Sequence, residues 1–168
     1  MSDEGAVIAQ ECERIEEDAM HSAKGHFNTE AGWNRKHMAL GVGAVLVASL
    51  AGQQAFDENT YIAAGLAFLA AFIAGLATFL SPEKRAETHG RAGRHYNSLK
   101  NRTRIFRTID LATLDGEDAR QRLEVLSEQR NDLNETSPGI PRWAYGRAKR
   151  DIDAKMGVYQ VDGGGDVG

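Results

Sequence analysis

The sequence predicts an all-α membrane protein, in which a two-helix transmembrane hairpin carries a cytoplasmic helical bundle. The first observation is a pair of apolar stretches, 38–56 and 61–80, without a single Asp, Glu, Lys or Arg. The second is that both stretches are long enough to cross a bilayer. The third is that the remaining chain is rich in charge and shows apolar residues at helical spacing.

Composition excludes a small secreted domain that is stabilised by disulfides within the chain. The chain of 168 residues has a net charge of −4 and one cysteine, Cys12, so no intrachain disulfide can form. The acidic beginning "MSDEGAVIAQECERIEED" has no basic segment before an apolar one, and we expect no cleavable signal peptide there.

The two apolar stretches have the length of membrane spans. Nineteen or twenty helical residues reach roughly the 30 Å of a bilayer core. In the second stretch bulky residues cover the whole circumference, whereas a helix on the surface of a soluble protein keeps a polar face. The alternative is a buried hairpin in a soluble bundle, but the polar remainder is too small to cover two such helices.

Flanking charges set the predicted orientation. Arg35 and Lys36 precede the first span, and Lys84 and Arg85 follow the second. The only charged residues in the connection "QQAFDENT" are the acidic Asp57 and Glu58. The positive-inside rule therefore predicts a multi-pass cell-membrane protein with both termini in the cytoplasm.

Small residues recur at spacing four on both spans. They form a candidate helix-packing ridge, which is Ala44, Ala48 and Gly52 on the first span and Ala63, Ala67, Ala71 and Gly75 on the second. Such ridges let helices approach closely in lipid. They could pack the hairpin on itself or pack it against another protomer.

The remaining segments predict cytoplasmic helices at 6–29 and within 83–155. The helix at 6–29 is acidic and the helix at 83–109 is basic, and each has an apolar stripe, so we expect the two to lie side by side. Two further helices are predicted at about 115–134 and 142–155, separated by the break "ETSPGIP". The candidate contacts with anionic lipid are Lys84, Arg85, Arg91 and Arg94. The basic helix lacks an aromatic stacking platform, which argues against a nucleic-acid partner.

No catalytic motif is present, so we expect no enzyme and no cofactor. Glu17 and His21 lie four positions apart on the first helix and His26 follows, which could in principle bind a metal, but a third ligand is not evident and we expect no metal site. His89 and His95 lie among arginines, and we expect both to face solvent or lipid headgroups.

Three stretches resemble the SLATT domains, which are two-transmembrane effectors that accompany nucleotide-second-messenger synthases and sensors in bacterial and archaeal conflict systems. These are "AKGHFNTEAGWNRKHMALGVGAVLVASLAG", "EKRAETHGRAGRHYNSLKNRTRIF" and "LNETSPGIPRWAYGRAKRDI". The resemblance implies a single SLATT-like domain at 1–156, followed by a tail at 157–168 that we expect to be disordered. It also implies a homo-oligomeric, pore-forming effector in prokaryotic antiviral defence. Its partner would be a separately encoded nucleotide synthase or sensor.

A two-helix hairpin cannot enclose a channel alone, so a pore requires an oligomer. The candidate pore-lining or pore-mouth residues are Ser49, Gln53, Gln54, Asp57, Glu58, Thr60 and Thr78. The alternative function is a non-conducting membrane-anchored adaptor or accessory subunit that docks cytoplasmic partners.

Overall fold

The described part of the chain consists almost entirely of helices joined by short turns. The computed structural model describes residues 3–57 and 59–154, and those residues contain no strand. The elements are α1 (Asp3–Phe56), α2 (Thr60–Leu80), α3 (Pro82–Ile105) with a π-helical turn (Phe106–Asp110), α4 (Gly116–Thr136) and α5 (Arg142–Asp153). The predicted all-α class is confirmed, and the predicted disordered tail lies outside the described residues.

The chain divides into two compact units. The first, called the bundle here, comprises Met1–Thr29 and His89–Gly168, and the second, called the hairpin unit, comprises Glu30–Thr88. The sequence predicted separate helices at 6–29 and 38–56, but α1 is one continuous helix of 54 residues. The connecting residues contain no proline and one glycine, Gly32. A single interior glycine costs only about 1 kcal/mol relative to alanine, too little to end a helix.

The core of the bundle joins α1, α3 and α4. On α1 the buried residues repeat at three and four, and they pack against buried side chains of α3 and α4. The cluster contains Ile8, Cys12, Ile15, Ala19, Ala23, Tyr96, Leu99, Phe106, Leu111, Ala119 and Leu126. The predicted packing of the acidic helix on the basic helix is therefore confirmed.

Ion pairs lie at the edge of this core. Arg107 donates from Nε to Glu16 Oε1 at 2.7 Å and from Nη2 to Glu16 Oε2 at 3.3 Å, a two-point contact. Its Nη1 also lies 3.1 Å from Glu13 Oε1. Two-point guanidinium–carboxylate contacts fix geometry as well as charge, so these pairs align α1 with the end of α3.

The π-helical turn keeps the apolar stripe of α3 in the core. Leu99, Thr103 and Phe106 are buried at the usual spacing of three and four, but the next buried residue, Leu111, is five positions on. The Leu111 N–H donates to the Phe106 carbonyl at 2.9 Å. The wider turn thus places Leu111, rather than Asp110, on the buried side.

The segment between α4 and α5, which the sequence predicts as a break, contains an isoleucine that packs on α1. Ile140 lies over Gly25 of α1, where an added Cβ would come within 3.0 Å of Ile140 Cδ1. Ala144 and Ala148 of α5 are fully buried. Gly25 thus makes room for Ile140, and Asn28 Nδ2 of α1 donates to the Ala144 carbonyl of α5 at 3.4 Å.

Candidate membrane-spanning hairpin and its flanking charges

Two helices are long and apolar enough to cross a membrane, by length and composition. Only 6% of the apolar window of α1 and none of the window in α2 is buried against the rest of the chain. The central helix of a soluble protein would be mostly buried. These exposures argue against the alternative of a buried soluble hairpin.

The two candidate spans meet along faces whose residues recur mostly at spacings of three and four. On α2 the less exposed residues are Ala63, Leu66, Ala70, Ile73, Ala77 and Leu80, and on α1 they are Leu40, Gly43, Ala44, Val47, Ala51 and Gln54. This spacing is typical of a left-handed helix–helix seam. The hairpin unit therefore has a defined internal packing face.

Most of the candidate packing ridge lies outside this face. Ala44 and Ala63 are partly buried, whereas the remaining five ridge residues, Ala48, Gly52, Ala67, Ala71 and Gly75, are exposed. A Cβ added at Gly52 or Gly75 would meet no atom within 4 Å. Within one chain, the ridge is thus largely free of contacts.

The exposed surface of α2 has two chemically distinct sides. One side carries the bulky residues Tyr61, Phe68, Leu69, Phe72, Leu76 and Phe79. The other carries only small ones, Thr60, Ala64, Ala67, Ala71, Ala74 and Thr78, spaced four, three, four, three, four and all exposed. We call this second set the small-residue seam. The expectation that bulky residues cover the whole circumference of the second span is therefore wrong. The full extent of the seam was missed because the candidate ridge followed a strict spacing of four.

The candidate pore-lining residues do not form one cluster in a single chain. Ser49 and Gln53 are exposed on α1, and Thr60 and Thr78 are exposed at the two ends of the seam on α2. The Ser49 hydroxyl donates to the Val45 carbonyl at 2.9 Å, and the Thr78 hydroxyl donates to the Ala74 carbonyl at 3.0 Å. Both hydroxyl protons are therefore satisfied without water.

Of the three remaining candidates, Gln54 lies near the end of α1, and Asp57 and Glu58 lie in the connection between the two candidate spans. Gln54 is partly buried, and its Oε1 accepts from Asn59 Nδ2 at 3.3 Å. Asp57 is exposed. Glu58 lies outside the described residues.

The turn from α2 into α3 is tight and charged. Ser81 adopts the left-handed conformation with φ 44°, and its N–H donates to the Ala77 carbonyl. Arg85 Nε donates to the Leu80 carbonyl at 3.0 Å, which places a cation at the C-terminal end of α2, where the helix dipole favours it. A non-glycine residue at positive φ carries strain, and the Ser81 hydroxyl offsets it by donating to the Thr78 carbonyl at 2.9 Å.

A cation–aromatic cluster lies at the same end of the hairpin unit. Lys36 Nζ lies 4.2 Å from the centre of the Trp33 ring, and the Arg85 guanidinium lies 5.2 Å from it. Among the candidate lipid contacts, Lys84 and Arg85 thus belong to the hairpin unit. Arg91 and Arg94 are exposed in the bundle.

The expectation for His89 is wrong. His89 is buried in the bundle, and its Nδ1 lies 3.0 Å from Nδ1 of His26, which is 1% exposed. The Tyr96 ring stacks on His26 at a centroid distance of 5.5 Å. Burial, and secondarily the electrostatic effect of His89, lower the pKa of His26 to about 4, so His26 is neutral near pH 7. Burial also lowers the pKa of His89. His95 is exposed, as expected.

The three residues considered as metal ligands are not brought together. His21 Nε2 lies 3.9 Å from Glu17 Oε1, but His26 pairs with His89. Residues 3–57 and 59–154 contain no group of three or more His, Cys, Asp or Glu side chains placed to hold a metal ion.

The comparisons with known proteins add no relative. No protein-family model matches the chain, no characterised protein matches its sequence, and no solved structure matches its fold.

Proposed function

We propose that the chain is an oligomeric, pore-forming membrane effector of a prokaryotic defence system linked to nucleotide second messengers. Its two candidate spans and the SLATT-like stretches support this role. A separately encoded nucleotide synthase or sensor would activate it.

In this proposal the hairpin unit spans the cell membrane and both termini are cytoplasmic. Trp33, Lys36 and Arg85 then lie at the cytoplasmic interface, where amphipathic aromatic rings and cations are favoured. A cysteine placed at Asn59 in a Cys12→Ser background should react with an impermeant thiol reagent from outside the cell, and one at Ser127 should not. The reverse labelling pattern would refute the orientation.

The observation that carries the oligomer is the small-residue seam. Helices do not gain from apolar burial when they associate in lipid, so association depends on close packing of small residues and on hydrogen bonds. The seam offers such a surface along the whole length of α2, with Thr60 and Thr78 at its ends. The bulky side of α2 would face lipid.

Substitution of seam residues by leucine tests this assignment. Ala71→Leu should abolish crosslinked oligomers and toxicity but leave membrane insertion intact, because Ala71 is exposed in the single chain. Gly65→Leu is the matched control, since an added Cβ at Gly65 meets open space and its helical position falls among the bulky residues. Gly65→Leu should retain both oligomers and toxicity. Equal loss in the two variants, or no loss in Ala71→Leu, would contradict the role of the seam.

Conductance is measured on the purified protein in liposomes with its activating partner. Release of ions or dye that Ala71→Leu abolishes and Gly65→Leu retains supports a pore. Asp57 and Glu58 in the connection would favour cations at the outer mouth, so an Asp57→Asn, Glu58→Gln double variant should lose that preference.

The alternative is a non-conducting adaptor, and one observation favours it. Ile105 and Ile109 are exposed one helical turn apart on the bundle, at 45% and 63%. They would suit a docking partner. If the protein inserts into liposomes but releases neither ions nor dye at any protein-to-lipid ratio, the adaptor function would be favoured over a pore.

A further inference from the structure

A groove of about 410 Å³ lies at the end of the hairpin unit that carries the charged turn. Its polar lining comes from His37 on α1, Thr78 on α2, Ser81 in the turn, and Glu83 and Lys84 on α3. His37 and Ser81 directly flank the charge-free stretches of the two spans. In a membrane-inserted hairpin this groove is therefore at the depth of lipid headgroups.

The charges in the groove are of both signs. The cation is Lys84, which forms no ion pair within the described residues. The His37 ring comes from a different helix and adds ring nitrogens to the lining. Glu83 supplies a carboxylate in the same lining. A purely anionic ligand would place a second negative charge next to the Glu83 carboxylate, which is unfavourable. A ligand with an anionic group and a cationic group a few bonds apart would match both.

The two hydroxyl groups in the groove can only accept hydrogen bonds. Ser81 Oγ donates its proton to the Thr78 carbonyl, and Thr78 Oγ1 donates its proton to the Ala74 carbonyl. Their remaining lone pairs, like the Glu83 carboxylate, suit a donor such as an ammonium group. Phosphate would be bound by the Lys84 ammonium and a His37 ring N–H instead.

We propose that this groove binds the headgroup of a phosphatidylethanolamine lipid. The phosphate contacts Lys84 and His37, and the ammonium group contacts Glu83 and the hydroxyl oxygens of Thr78 and Ser81. This assignment differs from a general attraction of the basic residues to anionic lipid, because it requires a carboxylate as well as a cation. It rests on the membrane insertion in the proposed function, but not on conductance.

Native mass spectrometry of the full-length protein in detergent tests the proposal, with phosphatidylethanolamine, phosphatidylglycerol and phosphatidylcholine of matched acyl chains. Phosphatidylethanolamine should bind most tightly, and Lys84→Gln should weaken it about tenfold, as expected for the loss of one charge-assisted contact. Arg94→Gln is the matched control, because Arg94 is exposed in the bundle and does not line the groove. Glu83→Gln should reverse the preference toward phosphatidylglycerol.

Several results would overturn the proposal. These are equal binding of phosphatidylethanolamine and phosphatidylcholine, equal effects of Lys84→Gln and Arg94→Gln, or an unchanged lipid preference in Glu83→Gln. Displacement of the lipid by free phosphoethanolamine at similar concentration would assign the groove to a soluble ligand and refute a lipid site. A protein that fails to insert into membranes would refute the proposed function itself, whereas insertion without headgroup preference refutes this inference alone.

Discussion

Gly93 is the position in the bundle where one added methyl group should have the clearest effect. The Phe27 ring of α1 covers this glycine of α3, so an added Cβ would lie 2.8 Å from Phe27 Cε1 and 2.9 Å from Cδ1. Carbon atoms do not approach so closely, and Phe27 would have to leave its place in Gly93→Ala. Gly146 of α5 is the matched control, because a Cβ there meets nothing within 4 Å.

Substitution by alanine should raise the free energy of unfolding at Gly146 and lower it at Gly93. In a helix interior, alanine is more stable than glycine by about 1 kcal/mol. Gly146→Ala should therefore stabilise the protein by roughly 0.5–1 kcal/mol. At Gly93 the same gain is opposed by an overpacking cost of about 1–3 kcal/mol. The net result should be destabilisation by roughly 1 kcal/mol.

Native-state hydrogen exchange of the amides of α3 measures this difference in the bundle without requiring the whole chain to unfold in one step. Phe27→Ala removes the clashing ring, so the double variant Phe27→Ala, Gly93→Ala should show a coupling energy that offsets the clash. If Gly93→Ala raises protection as much as Gly146→Ala does, the packing of Phe27 on Gly93 is wrong.

Three further predictions concern the bundle. Ile15→Asp buries a charge in the core and should reduce protease resistance far more than Glu13→Gln, whose exposed pair is worth about 0–1 kcal/mol; equal effects would contradict the dominance of the apolar stripe. Because the folded pKa of His26 is about 4, below the ordinary 6.5, the unfolded chain binds more protons between these values. The contribution of His26 to bundle stability should therefore be constant above about pH 6.5 and fall by on the order of 2 kcal/mol toward pH 4. His26→Gln should reduce this loss of stability at low pH without abolishing it, because burial also lowers the pKa of His89. Exposed His95→Gln should leave the profile unchanged, and an unchanged profile in His26→Gln would refute His26 as a source of the loss. Burial is the main cause that raises the pKa of the Cys12 thiol to about 11, so maleimide labelling at neutral pH should be slow until the protein is denatured, and rapid labelling of the native protein would show that the core is open.

Local patterns in the sequence were sufficient to predict most helical segments and the apolar stripes of the bundle core, but not that α1 is continuous. The apolar stripes at Ile8, Cys12 and Ile15 and at Tyr96, Leu99 and Phe106 follow from spacing alone, because a helix places such residues on one side. The all-α class and the two long apolar helices follow from the same patterns.

The tertiary structure decided which surfaces these helices use. The sequence could not show that His89 is buried against His26 although arginines surround it in the sequence. The two histidines are 63 positions apart, and only the packing of α3 on α1 brings their Nδ1 atoms to 3.0 Å. The sequence also could not separate the packed face of α2 from its small-residue seam, because alanine occurs on both. Spacing fixes which residues share a face of one helix, but which face is covered depends on the neighbouring helix, and that is a property of the folded chain.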